Sequence, residues 1–217
     1  LSPKLAVTCG ENGRGIVAIE KLGAREDVAR VPLSLILTND AALVEDPVLS
    51  EFGASGTNLA ALGLLRQRAP GRRWEPFTRA LPRAYTSTLA WSDSEIEELQ
   101  ASDLVAQTRV RASAIARHLR TLAQKLPPAL VPSPADFRWA LSLVWSRAHT
   151  VALPEGRQGA LVPLLDLMNA DFVAPSTEAA ATVRDHMVAR TAPPLAAGAA
   201  LTAPYGSRAP LSNAPAL

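Results

Sequence analysis

Apolar residues open the chain in short runs between turns. Gly15-Ile-Val-Ala-Ile19 follows the Gly-rich turn Glu11-Asn-Gly-Arg-Gly15 and reads as a strand. Val28-Ala-Arg-Val31 and Leu33-Ser-Leu-Ile-Leu-Thr38 form a second strand candidate around Pro32, which places it at an edge or a bend. From about Asn58 the period changes to that of a helix. Leu59, Leu62 and Leu65 recur behind Thr57 and Asn58 as possible caps. Ser92-Asp-Ser-Glu95 fits a capping box. Leu104, Ala112, Ile115, Leu119, Leu122 and Leu126 then mark one face of a long helix that Pro127 and Pro128 stop. Ser133-Pro-Ala-Asp136 opens another helix with Pro134 at its first position, and Phe137, Ala140, Leu141, Val144 and Ala148 make its apolar stripe. After His149 the helical signal fades. Gly159 to Asn169 is apolar and broken by proline, and His186-Met-Val-Ala-Arg190 and Ala200-Leu-Thr-Ala203 are short strand candidates. The order β, helical block, irregular and β suggests a β-rich domain interrupted by a helical insertion.

Composition narrows the function. With 217 residues, 48% hydrophobic and 19% charged, the chain can bury a sizeable core. A net charge of +2 is too small for direct nucleic-acid binding to be expected. Charges interrupt every apolar stretch before it reaches membrane-spanning length, so no membrane partner is expected. The single cysteine, Cys9, excludes an internal disulfide framework and reads as a small buried hydrophobe. His118 reads as lying among arginines on the polar side of a helix. His149 and His186 are isolated, and no metal site is expected from their spacing. Arg109, Arg111, Arg117 and Arg120 make a basic helical face, ordinarily solvated but able to meet an acidic partner. A chain beginning at Leu1 reads as a trimmed one.

Four segments in order carry more specific information. They are Glu11-Asn-Gly-Arg-Gly-Ile-Val-Ala18 with Val31-Pro-Leu-Ser-Leu-Ile-Leu-Thr38; Trp74-Glu-Pro-Phe77 with Ala80-Leu-Pro82 and Trp91; Phe137-Arg-Trp-Ala140 with Val144-Trp-Ser-Arg147, Leu161-Val-Pro163 and Asp166-Leu-Met-Asn169; and Tyr205-Gly206 with Ser212-Asn213-Ala214. In this order they resemble the SET-domain methyltransferases, on the branch with the Rubisco large-subunit and actin-histidine methyltransferases.

The resemblance implies an α+β SET fold of small sheets with a pseudoknot. The SET domain would occupy 1–57 and 133–217, with a helical insertion over 58–132. It implies S-adenosylmethionine as cofactor, and methyl transfer to a lysine side chain of a protein substrate, or to a histidine. The backbone of Asn12, Gly13 and Arg14 would hold the amino-acid end of the donor; Gly13 and Gly15 allow close backbone approach. Asn-Gly also makes a plain turn unaided. Arg147 would place a planar guanidinium on the donor carboxylate, or simply complement a helix C-terminus. Asn169 would contact the donor with Asp166 supporting it, and Tyr205 would be the catalytic tyrosine, orienting the acceptor nitrogen.

Three departures accompany the likeness. Ala170 stands where the family has His after this Asn, Arg208-Ala-Pro-Leu211 widens the gap between Tyr205 and Ser212, and the chain ends before the family's closing Tyr-Gly-Phe segment and C-terminal substrate-binding domain. They favour the alternative reading, a SET-like subunit of a larger assembly such as a plastid transcription complex. A plastid or cytoplasmic location is the expectation.

Overall fold

The structure, a computed structural model, describes residues 1–10, 13–100, 102–178 and 180–204. These divide into two units, one of 1–36 with the residues from 148 on, the other of 37–147.

The first unit is built from small sheets. β1 (Leu5–Gly10) and β2 (Gly13–Ala18) form an antiparallel hairpin closed at Gly10 and Gly13. The apolar run Ile16-Val-Ala18 explains β2, since Ile16 and Ala18 point into the core while Val17 is half-buried. β9 (Ala200–Ala203) lies antiparallel to β2, and β6 (Asn169–Ala170) lies parallel to β9, giving the order β1-β2-β9-β6.

A second sheet has the order β3-β8-β7, from β3 (Asp27–Pro32), β8 (His186–Arg190) and β7 (Ala181–Val183). β4 (Ala148–Leu153) and β5 (Gly156–Leu161) make a separate hairpin. One core joins all three sheets through residues such as Ile16, Leu22, Val31, Val151, Val162, Met168 and Leu201.

The second unit is helical: α1 (Asn39–Glu45), α2 (Gly56–Arg66), α3 (Glu75–Ala80), α4 (Asp93–Glu97), α5 (Asp103–Lys125) and α6 (Pro134–Arg147). α1 and α2 pack closely because Gly63 has no side chain. A Cβ there would sit 2.8 Å from that of Ala42. The capping box on α4 forms as the sequence predicts, with Ser92 and Glu95 bonded reciprocally. Pro134 opens α6. Asp46, nearly buried, takes the Arg66 guanidinium at 2.6 Å and that of Arg72 at 3.6 Å. The motifs Ala80-Leu-Pro82 and Phe137-Arg-Trp-Ala140 meet where the Trp139 indole donates to the Pro82 carbonyl at 2.9 Å.

Several expectations need correction. Pro32 does sit on an edge strand, but Leu33–Leu35 is a 3-10 turn and the run to Thr38 is not a strand. Leu33 still donates to Asp185, in register with the β3–β8 ladder, and the chain turns away where Ile36 closes the turn onto Leu33. α2 begins at Gly56 with Ser55 as N-cap, so Thr57 and Asn58 lie inside the helix. On α5 the buried positions are Thr108, Ile115 and Leu122, while Ala112 is exposed. Thr108 is admitted to that stripe because its hydroxyl bonds Thr88 at 2.8 Å. Cys9 is exposed, since burial falls along β1 from Leu5 toward the hairpin end. His118 is half-buried and stacked on Phe137, with ring centroids 5.4 Å apart.

Candidate functional site

The sheet order brings together segments that are distant in sequence. β9 is the centre: it pairs Ile16 with Leu201 on one side and Asn169 with Thr202 on the other. Asn169 is therefore one strand removed from the β1–β2 hairpin. Its side chain crosses that gap. A Cβ built on Gly15 would lie 3.0 Å from Nδ2 of Asn169, closer than the two atoms can comfortably sit. The glycine thus makes the space that the Asn169 amide occupies.

Gly13, two residues earlier, has φ +80, and a Cβ there would meet none of the described residues within 4 Å. The left-handed backbone needs glycine. Among the described residues nothing crowds the Gly13 backbone, as a ligand contact there requires. Arg14 between them is half-buried.

The approach to Asn169 is held firmly. Val162 and Leu165 are buried, and between them Leu164 adopts φ +72 and ψ −43, unusual for a branched residue. Such a conformation costs on the order of 1–3 kcal/mol and persists where surrounding packing dictates it. It starts the 3-10 turn Leu165–Leu167, which contains the buried Asp166. Asn169 and Ala170 then enter the ladder, and Asp171 extends it by donating from its backbone to Ala203 at 3.1 Å. The Asp171 carboxylate accepts from the amides of Ala174 and Val173, which hold its pKa below the usual carboxylate value. His149, on β4, is pushed below the ordinary histidine pKa by burial, against the opposing effect of its hydrogen bond with the Leu165 backbone.

A polar cluster that sequence reasoning missed fixes β9. The Ser176 amide donates to the Thr202 hydroxyl at 2.9 Å, the Thr202 amide donates to the Ser176 hydroxyl at 2.7 Å, and the Thr177 hydroxyl donates to the Thr202 carbonyl at 2.8 Å. Ser176 and Thr177 are buried. The available signal was a threonine inside an otherwise apolar strand and a Ser-Thr pair after Pro175.

Of the residues selected from sequence, Gly13, Arg14, Asp166 and Asn169 belong to this one unit, on β2, the 3-10 turn and β6. Arg147 belongs to the helical unit, where it ends α6 and is half-buried. Asn12 and Tyr205 lie outside the described residues, as does the expected passage of the chain end that would form the pseudoknot. Ala170 keeps its backbone pairing opposite Ala203, so loss of an imidazole there leaves the ladder intact. Among the described residues no group of three His, Cys, Asp or Glu side chains is placed to hold a metal ion, and no helix is long and apolar enough to cross a membrane.

S-Adenosylmethionine fits these residues in one testable respect. Open backbone at Gly13 and an amide seated against Gly15 offer the donors and acceptors that an amino-acid terminus and an adenine require. Comparison with known proteins agrees with that chemistry. No family model matches the chain. The actin-histidine N-methyltransferases of dog, of Xenopus tropicalis and of human are each 30% identical to it over 176 residues, 73% of this chain. The chain spans about 30% of the length of these relatives. Among solved structures, the SET domain of LSMT bound to lysine and AdoHcy superposes with a TM-score of 0.82 at 25% identity, covering 95% of this chain and 50% of that one. Rubisco LSMT bound to AdoMet superposes at 0.80 over 94% of this chain and 48% of that one, at 24% identity. With its small sheets and its helical insertion, the chain has the SET-domain fold, and its sequence is similar to those of the actin-histidine N-methyltransferases.

Proposed function

We propose that this protein is an S-adenosylmethionine-dependent protein methyltransferase acting on a side-chain nitrogen, lysine or histidine, of a protein substrate. The observation that carries the reading is the Asn169 amide seated against Gly15, two residues from the open backbone at Gly13. The relatives' activities support it.

The cofactor, when bound, supplies a methyl group on a cationic sulfonium. The protein's part is binding and alignment. The backbone of Asn12, Gly13 and Arg14 holds the amino-acid end, and Asn169 supplies an amide that both donates and accepts. Arg147 is assigned the carboxylate on its chemistry, because a guanidinium binds carboxylate in a planar fork. Asp166 supports the turn that delivers Asn169. Tyr205 is assigned, by resemblance, the orientation of the acceptor nitrogen.

A lysine acceptor has a free pKa of about 10.4 and must lose its proton before it has a lone pair to offer. Desolvation in a narrow channel lowers that pKa. Histidine already has a lone pair near neutral pH, so it needs only alignment.

The alternative is a subunit of a larger assembly without turnover, and Ala170 is what favours it. Calorimetric titration with S-adenosylmethionine and with S-adenosylhomocysteine tests the first requirement of the proposal, and labelled methyl transfer then separates it from the alternative. The proposal expects saturable binding of both at one site per chain. Absence of binding would overturn it.

A further inference from the structure

The helical unit carries a groove that the proposed chemistry leaves unused. Its larger cavity, of about 580 Å³, has an apolar wall that includes Leu89, Trp91 and Trp139, with Arg83 and Arg138 beside it. That volume is in the range of ligand sites. A neighbouring cavity of about 340 Å³ shares Arg83 and Trp139 and adds Arg68 and Arg79. Four arginines therefore line the two cavities that share the Trp139 indole. Trp139 is fixed by its bond to Pro82, and the Arg68 guanidinium lies 4.5 Å over its ring.

The charges are unevenly matched. Arg68 pairs with Asp136 at 3.3 Å and Arg79 with Glu75 at 3.4 Å. Glu95, the acid of the larger cavity, is engaged by Ser92, accepting from its amide at 2.7 Å and its hydroxyl at 2.8 Å. Arg83 and Arg138 are exposed and make no ion pair among the described residues. Two cations without carboxylates thus border an apolar wall.

We propose that this groove docks an acidic segment of the protein substrate, two carboxylates meeting Arg83 and Arg138 while an apolar side chain between them packs against Trp91 and Trp139. The groove favours peptide over nucleic acid. Glu75, Glu95 and Asp136 around it would repel a continuous polyanion, whereas a short peptide can place its charges selectively. That the docked protein is the methyl acceptor rests on the proposed function; the binding itself does not.

The test is fluorescence anisotropy on the full chain. The probes are a labelled peptide with a central Phe between pairs of Glu, the same peptide with Lys for Glu, and a labelled single-stranded oligonucleotide. The acidic peptide should bind, more weakly as salt rises. Arg83→Glu and Arg138→Glu should each weaken it by roughly tenfold or more, since reversal turns attraction into repulsion. Arg109→Glu, an exposed change elsewhere, should not, and calorimetric binding of S-adenosylmethionine should be unchanged in all three. Equal binding of the Lys peptide, stronger binding of the oligonucleotide, no binding of the acidic peptide, or indifference to Arg83→Glu and Arg138→Glu would overturn the groove. Peptide binding without S-adenosylmethionine binding would leave the groove standing and remove the methyltransferase reading.

Discussion

Gly15→Ala tests the donor site with one methyl group. Its Cβ would lie 3.0 Å from Nδ2 of Asn169 and 4.0 Å from Cγ. Comfortable contact between such atoms needs about 3.5–4.0 Å, so the amide must retreat by roughly 0.5–1 Å. Asn169 is exposed and free to turn, which limits the cost to folding to about 0.5–1.5 kcal/mol, that of a strained rotamer. Binding suffers differently. A displaced amide would lose the hydrogen bonds proposed for it with the donor, worth about 0.5–1.5 kcal/mol each in net terms. That corresponds to roughly three- to tenfold weaker binding of S-adenosylhomocysteine by calorimetry.

A double-mutant cycle makes the argument specific. If the methyl acts by moving the amide, Gly15→Ala should cost nothing further in an Asn169→Ala background, where there is no amide to displace. Thermal unfolding of each variant checks that the fold is retained. Additive losses in affinity, or an unchanged affinity in Gly15→Ala, would refute the reasoning.

Three further outcomes follow from packing and titration. Gln67 is fully buried, yet neither Nε2 nor Oε1 of its side chain has a hydrogen-bond partner among the described residues, so Gln67→Leu should stabilise by about 1–2 kcal/mol in urea unfolding; a loss of stability would mean a buried water completes those bonds. Gly63→Ala should destabilise by about 1 kcal/mol or more, because crowding against the Ala42 Cβ at 2.8 Å outweighs the roughly 1 kcal/mol that alanine gains as a helix former; a more stable variant would show the helices can part freely. His149 and His118 both have pKa values lowered by burial, so the unfolded chain binds their protons first and stability falls as pH drops below about 6.5, by no more than about 1.4 kcal/mol per pH unit for each. His149→Gln should flatten that slope, and an unchanged slope would assign the effect elsewhere.

Legibility in the sequence followed the range of the forces involved. β8 and β9 could be read to the residue because their apolar runs are bounded by turn-forming neighbours; α6 could be read at its start, which Pro134 marks, but not at its end, since Ala148, assigned to its apolar stripe, is exposed and opens β4. Leu33 to Thr38 reads as a strand because its apolar spacing suits one; the ladder reaches only to Leu33, and the bond from Ile36 back to Leu33 closes a 3-10 turn that apolar spacing does not announce. Hairpin β4–β5 was missed because Gly156-Arg-Gln-Gly159 is poor in strand-forming residues, and pairing with Ala148–Leu153 supplies what propensity lacks. Within the candidate site, Gly13 and Asn169 were singled out through the resemblance, and the sheet order brings both into one unit. The Ser176–Thr202 clamp was not, because it consists of reciprocal bonds between ordinary polar residues that announce nothing singly. The Trp139–Pro82 bond gives two of the family-like motifs a structural role in seating the groove wall.

The central claim is methyl transfer to protein, and labelled transfer measures it most directly. The purified chain is incubated with S-adenosylmethionine carrying a tritiated methyl group and with protein extract. Labelled proteins are then hydrolysed to identify the methylated amino acid. The account predicts label in methyl-lysine or methyl-histidine, reduced at subsaturating cofactor by Gly15→Ala and by Asn169→Ala in proportion to their losses of donor affinity. Cofactor binding without labelled protein above a heat-denatured control would contradict it, leaving a donor-binding SET protein without turnover.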